Sequence, residues 1–100
     1  MHKLIALYQT PDDVAAFLAH YQDVHMPLVR KTPGLSSASA SLVKANAMGG
    51  EAPYFMVAEM TFADKATFDA AMASPENRAA GKDLMTFARG KVTLLVLEDI

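Results

Sequence analysis

Between Lys3 and Tyr8 the chain reads KLIALY, apolar on both alternating faces, with Leu4, Ala6 and Tyr8 on one and Ile5 and Leu7 on the other. That pattern predicts a central strand with neither face in water. Thr10-Pro11-Asp12-Asp13 predicts a helix start, with Thr10 as cap, Pro11 in the first turn and the two aspartates at the positive end. The helix carries an i, i+3/4, i+7 stripe of Val14, Phe17, Leu18, Tyr21, Val24, His25 and Leu28. Pro27 has no N–H for the Asp23 carbonyl and its ring crowds that turn, which predicts a kink or break near His25. Pro33-Gly34 stops what remains of the helix.

A second strand is predicted from Leu35 to about Lys44, its small side chains (Ser36, Ser37, Ser39, Ser41) leaving room for another layer. Asn46 to Pro53 reads as a loop around Gly49-Gly50. Tyr54 to Phe62 is the third strand, apolar on both faces except for Glu59. Asp64 caps a short helix carrying Phe68 and Met72; Ser74-Pro75-Glu76 caps another through about Ala88, burying Ala80, Leu84 and Phe87. Lys91 to Glu98 is the last strand, again apolar on both faces. The order is β-α-β-β-α-β with its second helix broken. It predicts one α+β domain over residues 1–100, a ferredoxin-like unit with a four-stranded antiparallel sheet and helices on one side.

Composition sharpens the picture. The 100 residues are 52% hydrophobic and 20% charged, too much apolar surface for so small an interior. The helices cover one sheet face, while Ile5, Leu7 and half of the last strand remain on the other, so a homodimer joined sheet to sheet is expected. A net charge of −2 provides no basic field for nucleic acid or an anionic membrane. No cysteine means no disulfide, no thiol nucleophile and no thiolate metal site. With no signal pattern and no run long enough to span a bilayer, a cytoplasmic protein is expected.

Candidate chemistry gathers in HYQDVHMPL, residues 20–28. Tyr21 and His25 are one turn apart and project from the same face. Near neutral pH histidine is the side chain best suited to moving protons, which makes His25 the candidate general base. The structural alternative is that His25 hydrogen-bonds a carbonyl freed by Pro27 and fixes the helix end. Tyr8 either reaches a cavity with its hydroxyl or is a core residue with a wet tip. Glu59 either pairs with a base in a pocket or forms an ion pair across a dimer seam. Arg30 either binds a carboxylate or is a solvated helix-end cation. No metal site is expected from His2, His20 and His25, because His20 and His25 lie about 140° apart on an unbroken helix. Gly49-Gly50 lacks the lysine and helix of a phosphate loop, and the methionines read as core filler.

HYQDVHMPLVRKTPGL, followed by APYFMVAEMTFAD and the SPE helix start, resembles the EthD-like family (ethyl tert-butyl ether degradation family) of the dimeric α/β-barrel superfamily. Its most specific part is His25-x-Pro27-Leu28 with Pro33-Gly34-Leu35 behind it. The resemblance implies ferredoxin-like subunits whose sheets form a shared barrel, with a small cavity between sheet and helices. Related branches include cofactor-independent monooxygenases, polyketide cyclases and lactone isomerases. One expected function follows: a small hydrophobic organic ligand held in the cavity, with His25 as base, Tyr8 and Tyr21 orienting it, and no bound cofactor. The chemistry would be catabolic isomerisation, cyclisation or oxygenation. The other is a non-catalytic dimeric accessory module of a degradation pathway. An open pocket reaching His25 favours the first; a dry, closed core around it favours the second.

Overall fold

A computed structural model describes residues 1–100. Four strands, β1 (His2–Tyr8), β2 (Leu35–Leu42), β3 (Met56–Phe62) and β4 (Val92–Glu98), form one antiparallel sheet in the order β2-β3-β1-β4. The doubly apolar KLIALY segment is indeed central, with Ala6 opposite Ala58 of β3 on one side and Leu94 of β4 on the other. The helices are α1 (Val14–His20), α2 (Met26–Val29), α3 (Lys65–Met72) and α4 (Pro75–Phe87), with a π-helical turn at Tyr21–His25 joining the first two. This is the ferredoxin-like α+β arrangement, its second helix divided at Ser74-Pro75. No helix is long and apolar enough to cross a membrane.

The caps explain most of the boundaries. Asp64 accepts from the Thr67 N–H at 2.8 Å and Ser74 from the Asn77 N–H at 3.1 Å, as their spacing predicts. The first helix begins later than expected. Asp13 accepts from the Ala16 N–H at 3.0 Å, so Asp13 is the cap and Thr10-Pro11 precede the helix. An aspartate two to three residues before its target amide outcompetes a threonine that lies out of reach of it. Strand β2 ends at Leu42 rather than Lys44, and β3 starts at Met56 rather than Tyr54. A register shift between Leu35 and Ser37 puts Ala38 and Ala40 opposite Met60 and Ala58 on the helix-covered face.

Pro27 does not break the first helix. The chain widens instead, and the Met26 N–H donates to the Tyr21 carbonyl five residues back. One extra residue is absorbed just before the proline, which needs no N–H partner. The buried row then becomes Phe17, Tyr21, His25 and Val29. Val14 and Val24 turn outward to 40% and 42% exposure, so the expected stripe is corrected at both positions.

Tyr8, Phe17, Tyr21, Met56 and Leu84 anchor the main core, with Tyr8 edge-on to both Phe17 and Tyr21 at ring centroids of 5.5 and 5.9 Å. Phe62, Phe68 and Ala71 form a second, smaller cluster under α3. Strand β4 lies at the sheet edge, and Leu94, Leu95, Val96 and Leu97 are 48%, 43%, 60% and 41% exposed.

Two glycines act in opposite senses. Gly34 has φ +75°, and a Cβ there would collide with the Thr67 methyl. Gly81 sits inside α4 without positive φ, and a Cβ there meets nothing within 4 Å. Gly34→Ala should lower the unfolding free energy by roughly 1–2 kcal/mol. Gly81→Ala should raise it by roughly 0.5–1 kcal/mol. Urea denaturation of the two variants checks both signs.

Candidate functional site

His25 is buried, and its Nδ1 lies 3.0 Å from Oδ2 of Asp83 on α4. His20 meets the same carboxylate from the other side, with Nε2 2.8 Å from Oδ1 and 3.1 Å from Oδ2. The expected divergence of His20 and His25 is therefore overturned. On an α-helix five residues would separate them by about 140°, but the wide π turn swings both rings toward α4. His2 takes no part; it packs on Phe68 at 5.6 Å. No set of three His, Cys, Asp or Glu side chains is arranged to hold a metal ion.

Phe87, one turn beyond Asp83, backs this cluster, with ring centroids 4.6 Å from His20 and 5.0 Å from His25. Side-chain exposure falls from 32% at His20 through 13% at Asp83 to 7% at His25. The structural alternative gave His25 a carbonyl freed by Pro27 as its partner; the partner found is Asp83. A neutral imidazole facing a carboxylate donates its Nδ1–H, leaving Nε2 as the acceptor. Burial is the largest influence on His25 and holds it below its ordinary value; the hydrogen bond and charge of Asp83 pull the other way without reversing the shift.

A cavity of about 170 Å³ opens between the sheet and the helices. Small residues make it: Ala6, Ala38 and Ala58 on the sheet side, Ala80 and Gly81 on α4. Tyr8, Tyr21 and His25 all line it, so the structure brings together the three residues singled out in the sequence. Burial raises both phenols, that of Tyr21 to about 12, so each keeps its proton at neutral pH. Glu59 also lines the cavity, but its carboxylate lies 3.5 Å from Lys3 Nζ within the same chain. Arg30 is exposed at the end of α2.

Asp83 and His20 were missed as site residues. Asp83 lies one residue before the buried Leu84 and four before Phe87, so the helical period alone puts it at the margin of the apolar stripe. Its partnership with both histidines depends on the π turn, for which the only sequence signal is Pro27.

Fold and site define a class: a ferredoxin-like chain with a mostly apolar hollow beneath its helices and, on its wall, a histidine held from behind by an aspartate. Within that class the chain belongs to the EthD domain family, whose model matches residues 10–91. It is 35% identical over 100 residues to an uncharacterized 11.0 kDa protein of the thcB-thcC intergenic region of Rhodococcus erythropolis, covering 99% of this chain and 95% of that one. It is similar to the crystal structure of an ethyl tert-butyl ether degradation (EthD) family protein from Bacillus halodurans C-125. That match has 40% identity and a TM-score of 0.92, covering 100% of this chain and 99% of the other. A dimeric ferredoxin-like protein of unknown function from Jannaschia sp. CCS1 shares the fold at 22% identity and TM-score 0.68, covering 98% and 97% of the two chains.

The lowered proton affinity of His25 fixes the sign of a pH effect. As the pH falls through the ordinary value of 6.5, the unfolded chain takes up a proton at this residue before the folded chain does. The stability it contributes is therefore complete above 6.5 and is lost as the pH drops from there toward the lower folded value. Urea midpoints measured from about pH 7.5 to about pH 5 should fall more steeply for the native chain than for His25→Asn.

Proposed function

We propose that this chain works as a homodimer that binds a small hydrophobic organic molecule in the cavity, with His25 as its proton acceptor. The observation that carries the reading is the cavity itself, which reaches His25 instead of leaving it in a closed core. In this reading Asp83 fixes the tautomer and orientation of His25, as a carboxylate does for a general base. Tyr8 and Tyr21 present hydroxyls to the ligand. A neutral, buried base beside protonated phenols suits proton transfer, the step that isomerisation and cyclisation share. The whole of residues 1–100 serves as one EthD unit, and the reaction belongs to catabolism.

Support for the homodimer comes from the sheet. Leu95 and Leu97 of β4 extend the face away from the helices, opposite Ile5 and Lys3, and both are more than 40% exposed. Their exposure together with that of Leu94 and Val96 calls for another apolar surface. The Jannaschia neighbour is described as dimeric. Sedimentation at micromolar concentration should show a dimer; a monomer there removes this part of the reading.

His25→Asn tests the site. Asparagine keeps a hydrogen-bonding group in a smaller volume, so fold and dimer should survive. Once a converted compound is found among small aromatic and ether compounds, turnover should fall by something like ~10²–10⁴-fold. Unchanged turnover with a clearly lower melting temperature would make His25 a structural residue.

A further inference from the structure

Three polar groups stand deep on the cavity wall: the hydroxyls of Tyr8 and Tyr21 and the imidazole of His25, on residues only 1%, 4% and 5% exposed. They are neighbours. The Tyr8 and Tyr21 rings are 5.9 Å apart and the Tyr21 and His25 rings 5.5 Å. His25 commits Nδ1 to Asp83, whereas neither tyrosine hydroxyl hydrogen-bonds to another group of the chain. A hydroxyl withdrawn this far from bulk water costs free energy unless something in the cavity pairs with it. Of the other polar residues on the wall, Ser39 is exposed, Asn77 donates to the Met72 carbonyl and Glu59 pairs with Lys3. The deep part of the cavity therefore offers two O–H donors and one nitrogen acceptor in a largely hydrophobic lining.

From this complement of donors and acceptor we infer that the cavity takes a one-ring compound with a hydroxyl on an sp² carbon, a phenol or cyclic enol. The ligand's O–H donates to Nε2 of His25, and its oxygen accepts from Tyr8 and Tyr21. The inference rests on the cavity-binding reading above and narrows it to a chemical class.

Other classes fit less well. A carboxylic acid is ionised at neutral pH and needs a cation, but the buried imidazole is held toward its neutral form. An amine needs a carboxylate, and the one on this wall, Glu59, is paired with Lys3. A hydrocarbon leaves all three groups unpaired, and an ether satisfies the donors but not Nε2. A phenol, or an enol no more acidic than one, is uncharged at neutral pH, so it enters an apolar cavity without losing the hydration of an ion, and it pairs with all three deep groups. The volume of about 170 Å³ lies below the ~300–1,000 Å³ of drug-sized pockets, which favours one ring over a fused system.

Calorimetric titration of the native protein with phenol, anisole and toluene tests this, beside the isosteric variants Tyr8→Phe and Tyr21→Phe. Phenol should bind at least about tenfold more tightly than anisole or toluene. Each variant should lose several-fold in phenol affinity and none in toluene affinity. If toluene and anisole bind as well as phenol, the cavity reading stands and the phenol inference falls. If none of the three binds, both fall. Phenol affinity unchanged in both variants likewise overturns the assignment of the hydroxyls.

Discussion

The Asp83 carboxylate ties the structure together at the point where its parts meet. It is mostly buried against two imidazoles that Phe87 backs, where a charge is tolerated only if donors surround it. His20 and His25 supply those donors from the first helical segment, and hydrogen bonds to a charged group contribute about 1.5–3 kcal/mol each. The same contacts set the spacing between that segment and α4, and so the width of the hollow beneath them. They also fix which ring nitrogen of His25 remains free. Packing, electrostatics and the candidate chemistry thus depend on one side chain whose partners are two consecutive turns of a neighbouring helix.

The hollow itself is a consequence of residue size. Large side chains at Tyr8, Phe17, Tyr21 and Met56 fill one part of the interior, while alanines on three strands and Ala80-Gly81 on α4 leave the rest unfilled. Interiors normally close such gaps, because unfilled volume forfeits contact energy. Here the gap is bordered by rigid sheet on one side and by a helix tied through Asp83 on the other. Collapse would have to break one of them.

Much of the fold was legible in the residues. The doubly apolar KLIALY segment placed β1 at the centre, Asp64 and Ser74 marked helix starts, and the element order gave the topology. The first helix was read less well, because Asp13 and Thr10 are both good caps and only the amide positions decide between them. His25, Tyr21 and Tyr8 were legible as a group because strand alternation and helical period both point them inward. Asp83 and His20 were not. A wide turn has no residue pattern of its own, and assuming an unbroken α-helix sends His20 to the wrong side.

The π turn also changes what kind of genetic event can alter this site. A wide turn is an α-helix carrying one surplus residue. Deleting one of Gln22, Asp23 or Val24 would let the ladder close up. Four α-helical residues turn the chain through about 400°, close to what the five residues of the wide turn cover, so the flanking segments keep their relative orientation. His20 and His25 would then stand four residues apart on one α-helical face, still directed at Asp83, with no residue of the sheet or of α4 changed. The wide turn is therefore one codon of slack: its loss leaves the carboxylate paired, whereas replacing either histidine removes a partner outright.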